Sequence, residues 1–296
     1  MSMKYVKLRE EDGATIVPVI KDKFEEATQL KYPYYQKVKG SDRPYAICVG
    51  CDNPVVIVGF YSKNDKRIHM IAHPRHTQKS LSGLPPYNRE NYDTCPYAKP
   101  QKYDISSRKN NNQDALAKAI KNLLLTKFDR IVYVLEKETG ISFSYTWLKK
   151  MLDNYFAMKG HLYVGATMDN VPWIFIYLAL NQTLYKRTVI KDSWIYNIIK
   201  ENTRNIEFKE IEIMNYMKIE PTTKTYLNFA FLGHEIKKKD GISVEILKFH
   251  LYQDDKEIFK EDIILNTECF FNLIEYDVWN ETDRSKKLLE LAKEYI

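Results

Sequence analysis

A chain of 296 residues has material for one large domain or two to three smaller ones with real cores. Its 44% hydrophobic and 13% aromatic content excludes a disordered polymer, and only ten glycines argue against long flexible linkers. The net charge of +6 is uneven: Lys99–Arg130 carries eight basic and three acidic residues, whereas Gln253–Ile296 carries six basic and twelve acidic ones. This asymmetry suits a phosphate-binding middle and a differently employed tail, or simply solvated faces of either sign.

The opening MSMKYVKLREEDG turns polar at once, without a charged-then-apolar signal. The most apolar run, Val171 to Leu180, falls far short of the ~20 residues that span a bilayer. The expectation is a soluble, cytoplasmic protein with no membrane partner.

Along the chain, TIVPVI reads as a short strand, and KFEEATQLKYPYYQKV as a helix that ends before Pro33. From Arg43 to Pro100 the texture changes. Two apolar strands, Val55–Phe60 and Arg67–Ala72, flank an SKND turn, and the proline-rich GLPPYNRENYDTCP follows. After the polar SSRKNNNQ link, Ala115, Leu116, Ala119, Ile120, Leu123 and Leu124 lie on one helical face. Helical patterns continue over Asp129–Thr139, Ser144–Lys159, Val171–Lys186 (with Pro172 early) and Asp192–Asn202. Past Pro221 the period becomes 2: TYLNFAFLG, ISVEILKFHLY and EIFKEDIIL predict a three-stranded antiparallel meander, with KKKDG as its first turn. Helices follow at Thr267–Tyr276 and Thr282–Tyr295. The fold class expected is α+β: a small zinc-binding β module at about 43–100 within an N-terminal region 1–100, a helical domain at 110–215, and an antiparallel sheet with terminal helices at 220–296.

Cys48 and Cys51 form C-x2-C, a knuckle in which two thiolates can meet one tetrahedral ion. Two more ligands are needed, and His69, His73, His76 and Cys95 follow. A structural zinc held by Cys48, Cys51, Cys95 and one histidine is the favoured reading over small buried cysteines. A redox pair is disfavoured, since no helix begins at Cys48 to lower a thiol pKa. Three histidines compete for the fourth place.

The segments CVGC, RIHMIAH and CPYA, within residues 45–98, resemble the N-terminal zinc module of the CoiA-like competence proteins, whose pattern is Cys-x2-Cys, a strand pair, a paired histidine motif and a Cys-Pro. The resemblance implies a zinc module and favours His73 as the ligand. Here the two histidines are x3 apart, with Met70 where that family has phenylalanine, and His73 lies far from Cys95. Those relatives continue into a nuclease-like domain, which makes nucleic-acid binding or nuclease chemistry the alternative function. Asp240, Glu245 and Lys248 are the nearest carboxylate–lysine set. However, Glu245 and Lys248 are three apart, and on a strand this places them on opposite faces. No P-loop, G-x-S-x-G, H-E-x-x-H or G-x-G-x-x-G occurs, so no catalytic residue is assigned.

YVLEKETGISFSYTWLKKML looks like a helix–turn–helix with Gly140 in its turn, and would make Lys149 and Lys150 candidate nucleic-acid contacts. An ordinary helical hairpin yields the same pattern and is preferred. The middle of the chain is rich in tyrosine and tryptophan, from Tyr145 to Tyr177, which suits a core, the anchors of a protein interface, or a stacking platform for single strands. In size and texture the chain also resembles phage anti-defence proteins of the Gabija-blocking family. That resemblance implies a non-enzymatic inhibitor that grips a host protein complex, a nuclease, as a homo-oligomer.

Overall fold

The computed structural model describes residues 3–10, 13–61, 72–109, 114–212, 215–240, 242–276 and 279–296, and its class is α+β with antiparallel sheets. The chain divides into two units. One comprises Met1–Gln101, Gln113–Ala119 and Ile236–Val244; the other comprises Lys102–Asn112, Ile120–Glu235 and Glu245–Ile296.

In the first unit, strands β1 (Tyr5–Glu10), β2 (Gly13–Pro18), β4 (Ser41–Cys48), β5 (Pro54–Val58) and β6 (His73–His76) lie in the order β2-β1-β4-β5-β6, with β3 (Tyr35–Val38) paired to β4. The alternation of apolar side chains in these short runs buries Val6, Leu8, Ile47, Val55 and Ile57, and helix α1 (Lys21–Thr28) adds Phe24. As its sequence suggests, α1 stops well before Pro33. Gln29 and Leu30 both take positive φ, 48° and 54°, and turn the chain out of the helix. A short helix α2 (Arg89–Asp93) is capped by Asn88, whose side chain accepts a bond from the Asn91 amide. The expected SKND turn and most of the Arg67–Ala72 strand lie outside the described residues.

Strand β7 (Gln101–Lys102) and helix α3 (Ala115–Thr126) straddle the division between units. The second unit contains α4 (Phe128–Thr139), β8 (Ile141–Ser142), α5 (Tyr145–Ala157), a 3-10 turn at Gly160–Leu162, α6 (Val171–Tyr177), β9 (Gln182–Thr183), β10 (Thr188–Ile190), α7 (Trp194–Asn202), β11 (Ile206–Glu210) and β12 (Tyr216–Pro221). The strands β13 (Leu227–Lys239), β14 (Ile242–Gln253) and β15 (Lys256–Ile264) and the helices α8 (Glu268–Glu275) and α9 (Asp283–Lys293) follow. The order β15-β14-β13 is the expected meander, extended by β7 and β9 on β13.

Two expectations for the middle are corrected. It is not purely helical: β8, β10, β11 and β12 form a four-stranded sheet in the order β11-β12-β10-β8. The Val171–Lys186 pattern is helical only to Tyr177, because Leu180 adopts a φ of 61° and β9 then pairs with β13. The side chain of Gln182 turns back onto the Ala179 carbonyl at this exit.

The helix–turn–helix look-alike is a strand-bearing connection. Gly140 ends α4 at a φ of 73°, Ile141 then pairs with Val189, and Ser144 caps α5 by accepting from the Trp147 amide. A Cβ at Gly140 would sit 2.3 Å from Ser193 Oγ. Gly140→Ala is therefore expected to lower the unfolding free energy by at least ~1–2 kcal/mol, from the left-handed conformation alone, in urea unfolding of the full chain.

Most of the aromatic middle is core. Trp147, Tyr155, Tyr163, Trp173, Phe175 and Tyr177 are all buried. Trp147 packs edge-on to Phe229, 6.3 Å between ring centres, and Phe229, Phe231 and Phe249 pack on one another.

Candidate metal centre

The knuckle that carries Cys48 and Cys51 is built by backbone bonds. The Cys48 amide donates to the Asn53 carbonyl, the Asp52 amide donates to the Cys48 carbonyl, and Asp52 closes the turn at a φ of 58°. Gly50 lets the segment after Cys95 approach, since a Cβ there would lie 3.3 Å from Pro96 Cδ and Tyr97 Cδ2. Cys95 is set at the end of α2, its amide donating to the Tyr92 carbonyl at 3.2 Å.

These elements bring Cys48, Cys51, Cys95 and His76 together, with their ligand atoms all within 4.8 Å of one another. Cys48 Sγ lies 3.7 Å from Cys95 Sγ, and His76 Nε2 lies 3.3 Å from Cys51 Sγ and 3.7 Å from Cys95 Sγ. A tetrahedron with Zn–S of ~2.3 Å and Zn–N of ~2.0 Å has edges of roughly 3.5–3.8 Å. The four side chains could hold one such ion. Amide donors surround the sulfurs: Gly50 N–H points at Cys48 Sγ (3.4 Å), and Asn53 Nδ2 points at Cys51 Sγ (3.3 Å). Asn53 is itself fixed, donating to the Asn88 carbonyl and accepting from the Asn88 amide. Such outer partners orient ligands and offset thiolate charge.

The electrostatics favour a cation. Burial, then the two neighbouring thiols, push Cys48 well above the usual thiol range. Contacts from Cys48 and Cys95 hold Cys51 well below that range, against the effect of burial. Cys95 is drawn down by Cys48 but pushed up to about 12 by Cys51 and burial. Three sulfurs this close bear one negative charge comfortably, and a divalent ion is what lets them bear three.

The fourth ligand differs from the sequence expectation. His73, favoured by the family resemblance, is not in the cluster, whereas His76 is. The reason is strand parity. On β6, residues three apart face opposite ways. His76 pairs with Val55, which pairs with Ala46, two residues before Cys48, so His76 and Cys48 share a face. His73 points to the other face, with Arg75. His69 lies outside the described residues. Asn53 was not singled out from sequence; an asparagine two residues after the second cysteine was its only signal.

The nuclease-like candidates are otherwise occupied. Asp240 is exposed in a turn, and Lys248 Nζ lies 3.7 Å from Glu235. Glu245 is 5% exposed and accepts from Asn170 Nδ2 at 2.6 Å, with His234 Nε2 at 2.7 Å. His234 Nδ1 in turn lies 3.0 Å from the Tyr163 hydroxyl. Nearby, Asp169 accepts from Thr167 Oγ1 at 2.9 Å. Burial, then the Glu245 carboxyl, push Asp169 from 3.8 up to about 6. Its folded-state pKa is raised, so the folded chain takes up this proton first as pH falls from about 6 towards 4, and stability at neutral pH is lowered by the charged form. Asp169→Asn should accordingly stabilise the chain by ~1–3 kcal/mol at pH 7, in urea unfolding, with the gain shrinking as the pH approaches 4.

Of the candidate phosphate contacts, Lys149 is held by Glu294 at 2.7 Å and Lys150 is exposed. The basic Lys99–Arg130 segment is likewise partly consumed: Lys99 pairs with Asp93, Arg108 donates to the Met158 and Ile105 carbonyls, and Arg130 is buried. Among the described residues no helix is long and apolar enough to cross a membrane. No protein family, curated protein or solved structure matches the chain.

Proposed function

We propose that the chain is a non-enzymatic binding protein whose N-terminal unit is stapled by one structural zinc ion. The observation that carries this reading is the protein-only ligand set: Cys48, Cys51, His76 and Cys95 bring four ligand atoms within 4.8 Å of one another, enough to close a tetrahedron around one ion. A catalytic zinc keeps a corner for water or substrate, whereas a set closed by protein holds a fold together. Three sulfurs and one imidazole suit zinc better than the oxygen-seeking magnesium or calcium. Binding rather than turnover is supported by the engagement of Glu245 and Lys248 with other side chains. A metal-assisted phosphodiesterase needs such groups free to ligate an ion or steady a developing charge.

The test is incubation of the zinc-loaded chain with single- and double-stranded DNA and RNA, with magnesium or manganese. The expected result is stoichiometric zinc and no cleavage. Metal-dependent cleavage that disappears in a folded Glu245→Gln variant would overturn the non-enzymatic reading.

A further inference from the structure

The face of the first sheet opposite the metal centre carries a second feature. Tyr45 pairs with Val56, and Val56 pairs with Arg75, so these three form one row across β4, β5 and β6. Arg43 and His73, each two residues along its strand, project from the same face. This face forms one wall of a cavity of about 580 Å³, which continues past Lys79 to Tyr92 and Tyr97 and reaches His76 at its rim. No carboxylate is among the described residues that line it, and among the described residues Arg43, Arg75 and Lys79 form no ion pair. The Tyr92 ring is fixed, edge-on to His76 at 5.2 Å, with its hydroxyl accepting from Gln78 Nε2 at 2.9 Å.

We infer that this cavity binds a nucleotide unit, with its phosphate and, in a strand, the two flanking phosphates on Arg43, Arg75 and Lys79, and its base against Tyr92 and Tyr97. The unit belongs to a single-stranded nucleic acid or to a free nucleotide. Cations that form no ion pair among the described residues, set in a concave site, attract an anion, and guanidinium groups match the planar, bidentate edge of a phosphate. Beside them Tyr92, held by His76 and Gln78, and Tyr97 offer the stacking surface that distinguishes a nucleotide from a bare anion or an acidic peptide. The inference rests on the metal reading only in that His76 and Tyr92 form part of the rim.

The experiment is fluorescence polarisation of the full zinc-loaded chain with a labelled 15-nucleotide dT oligomer at 50 and 200 mM salt. The competitors are dTMP, inorganic phosphate and poly-glutamate. Three phosphate contacts on a single strand give a log–log salt slope of about −2, or roughly a twentyfold loss of affinity over this range. Arg75→Ala/Lys79→Ala, both exposed positions, should cut that loss to roughly threefold while leaving zinc content and Tm unchanged. Tyr92→Leu should weaken the oligomer roughly tenfold without changing inhibition by inorganic phosphate. Displacement by dTMP at micromolar concentration assigns the site to free nucleotides; displacement only by oligomers assigns it to strands. No oligomer binding below 100 µM, equal competition by poly-glutamate, or an Arg75→Ala/Lys79→Ala variant with the parental slope would overturn the inference. A chain without zinc that still binds with the steep slope would sink the metal reading alone.

Discussion

Cys48→Ser should empty the metal centre and unfold the N-terminal unit. Serine is a poor zinc ligand, and Cys48 is fully buried at the contact with Cys95. Structural zinc in small modules contributes an apparent ~10–16 kcal/mol at neutral pH, whereas a whole domain is stable by only ~5–15 kcal/mol. The metal term is therefore as large as the whole margin, and losing it leaves the unit unfolded. The expected result is loss of zinc by elemental analysis, with the first thermal transition abolished in the variant. A chelator should do the same to the parent chain. His76→Ala should approach this outcome, while His73→Ala should leave zinc content near one per chain. A Cys48→Ser variant that melts like the parent would contradict the assignment.

Glu245→Ala is expected to have the second-largest effect, on the other unit. Its carboxyl joins Asn170 to His234, and His234 extends the chain of bonds to Tyr163. Glu245, His234 and Asn170 are 5%, 1% and 0% exposed, so water cannot replace the lost acceptor. Truncating one member of a buried hydrogen-bonded pair costs ~1–3 kcal/mol for each partner left unsatisfied, and two are left here, so ~2–5 kcal/mol in all. Urea unfolding should show a loss of this size in Glu245→Ala and a smaller one in Glu245→Gln, which keeps an acceptor for Asn170. A loss below ~1 kcal/mol in Glu245→Ala would mean that the network is dispensable.

Much of the architecture could be read from residue order because its signals are long. The alternation over β13, β14 and β15 runs for many residues on each strand, and the Ala115–Leu124 face is a full helical stripe. The strands β8 and β10 leave no mark in the sequence because two or three residues cannot express a period. The apolar character of the Val171–Lys186 run overstates its helix, since it continues past the point where Leu180 turns left-handed. At the metal centre, spacing revealed Cys48, Cys51 and Cys95, since C-x2-C is a local geometric device. The histidine was not legible, because choosing between His73 and His76 requires knowing which face of β6 meets the thiols, and that is set by pairing to β5. The same parity places Arg75 on the sheet face that carries Tyr45 and Arg43. A modest net charge of +6 did not anticipate three cations gathered on one cavity, nor that the basic Lys99–Arg130 run would spend several of its charges on internal bonds.

X-ray absorption at the zinc edge of the purified full chain reads the ligand shell itself. The Cys48, Cys51, His76 and Cys95 assignment requires about one zinc per chain, with three sulfur neighbours at ~2.3 Å and one nitrogen at ~2.0 Å, and loss of the imidazole signature in His76→Ala. A chain without zinc, a shell containing oxygen or an open position, or a spectrum that changes in His73→Ala but not in His76→Ala would contradict it.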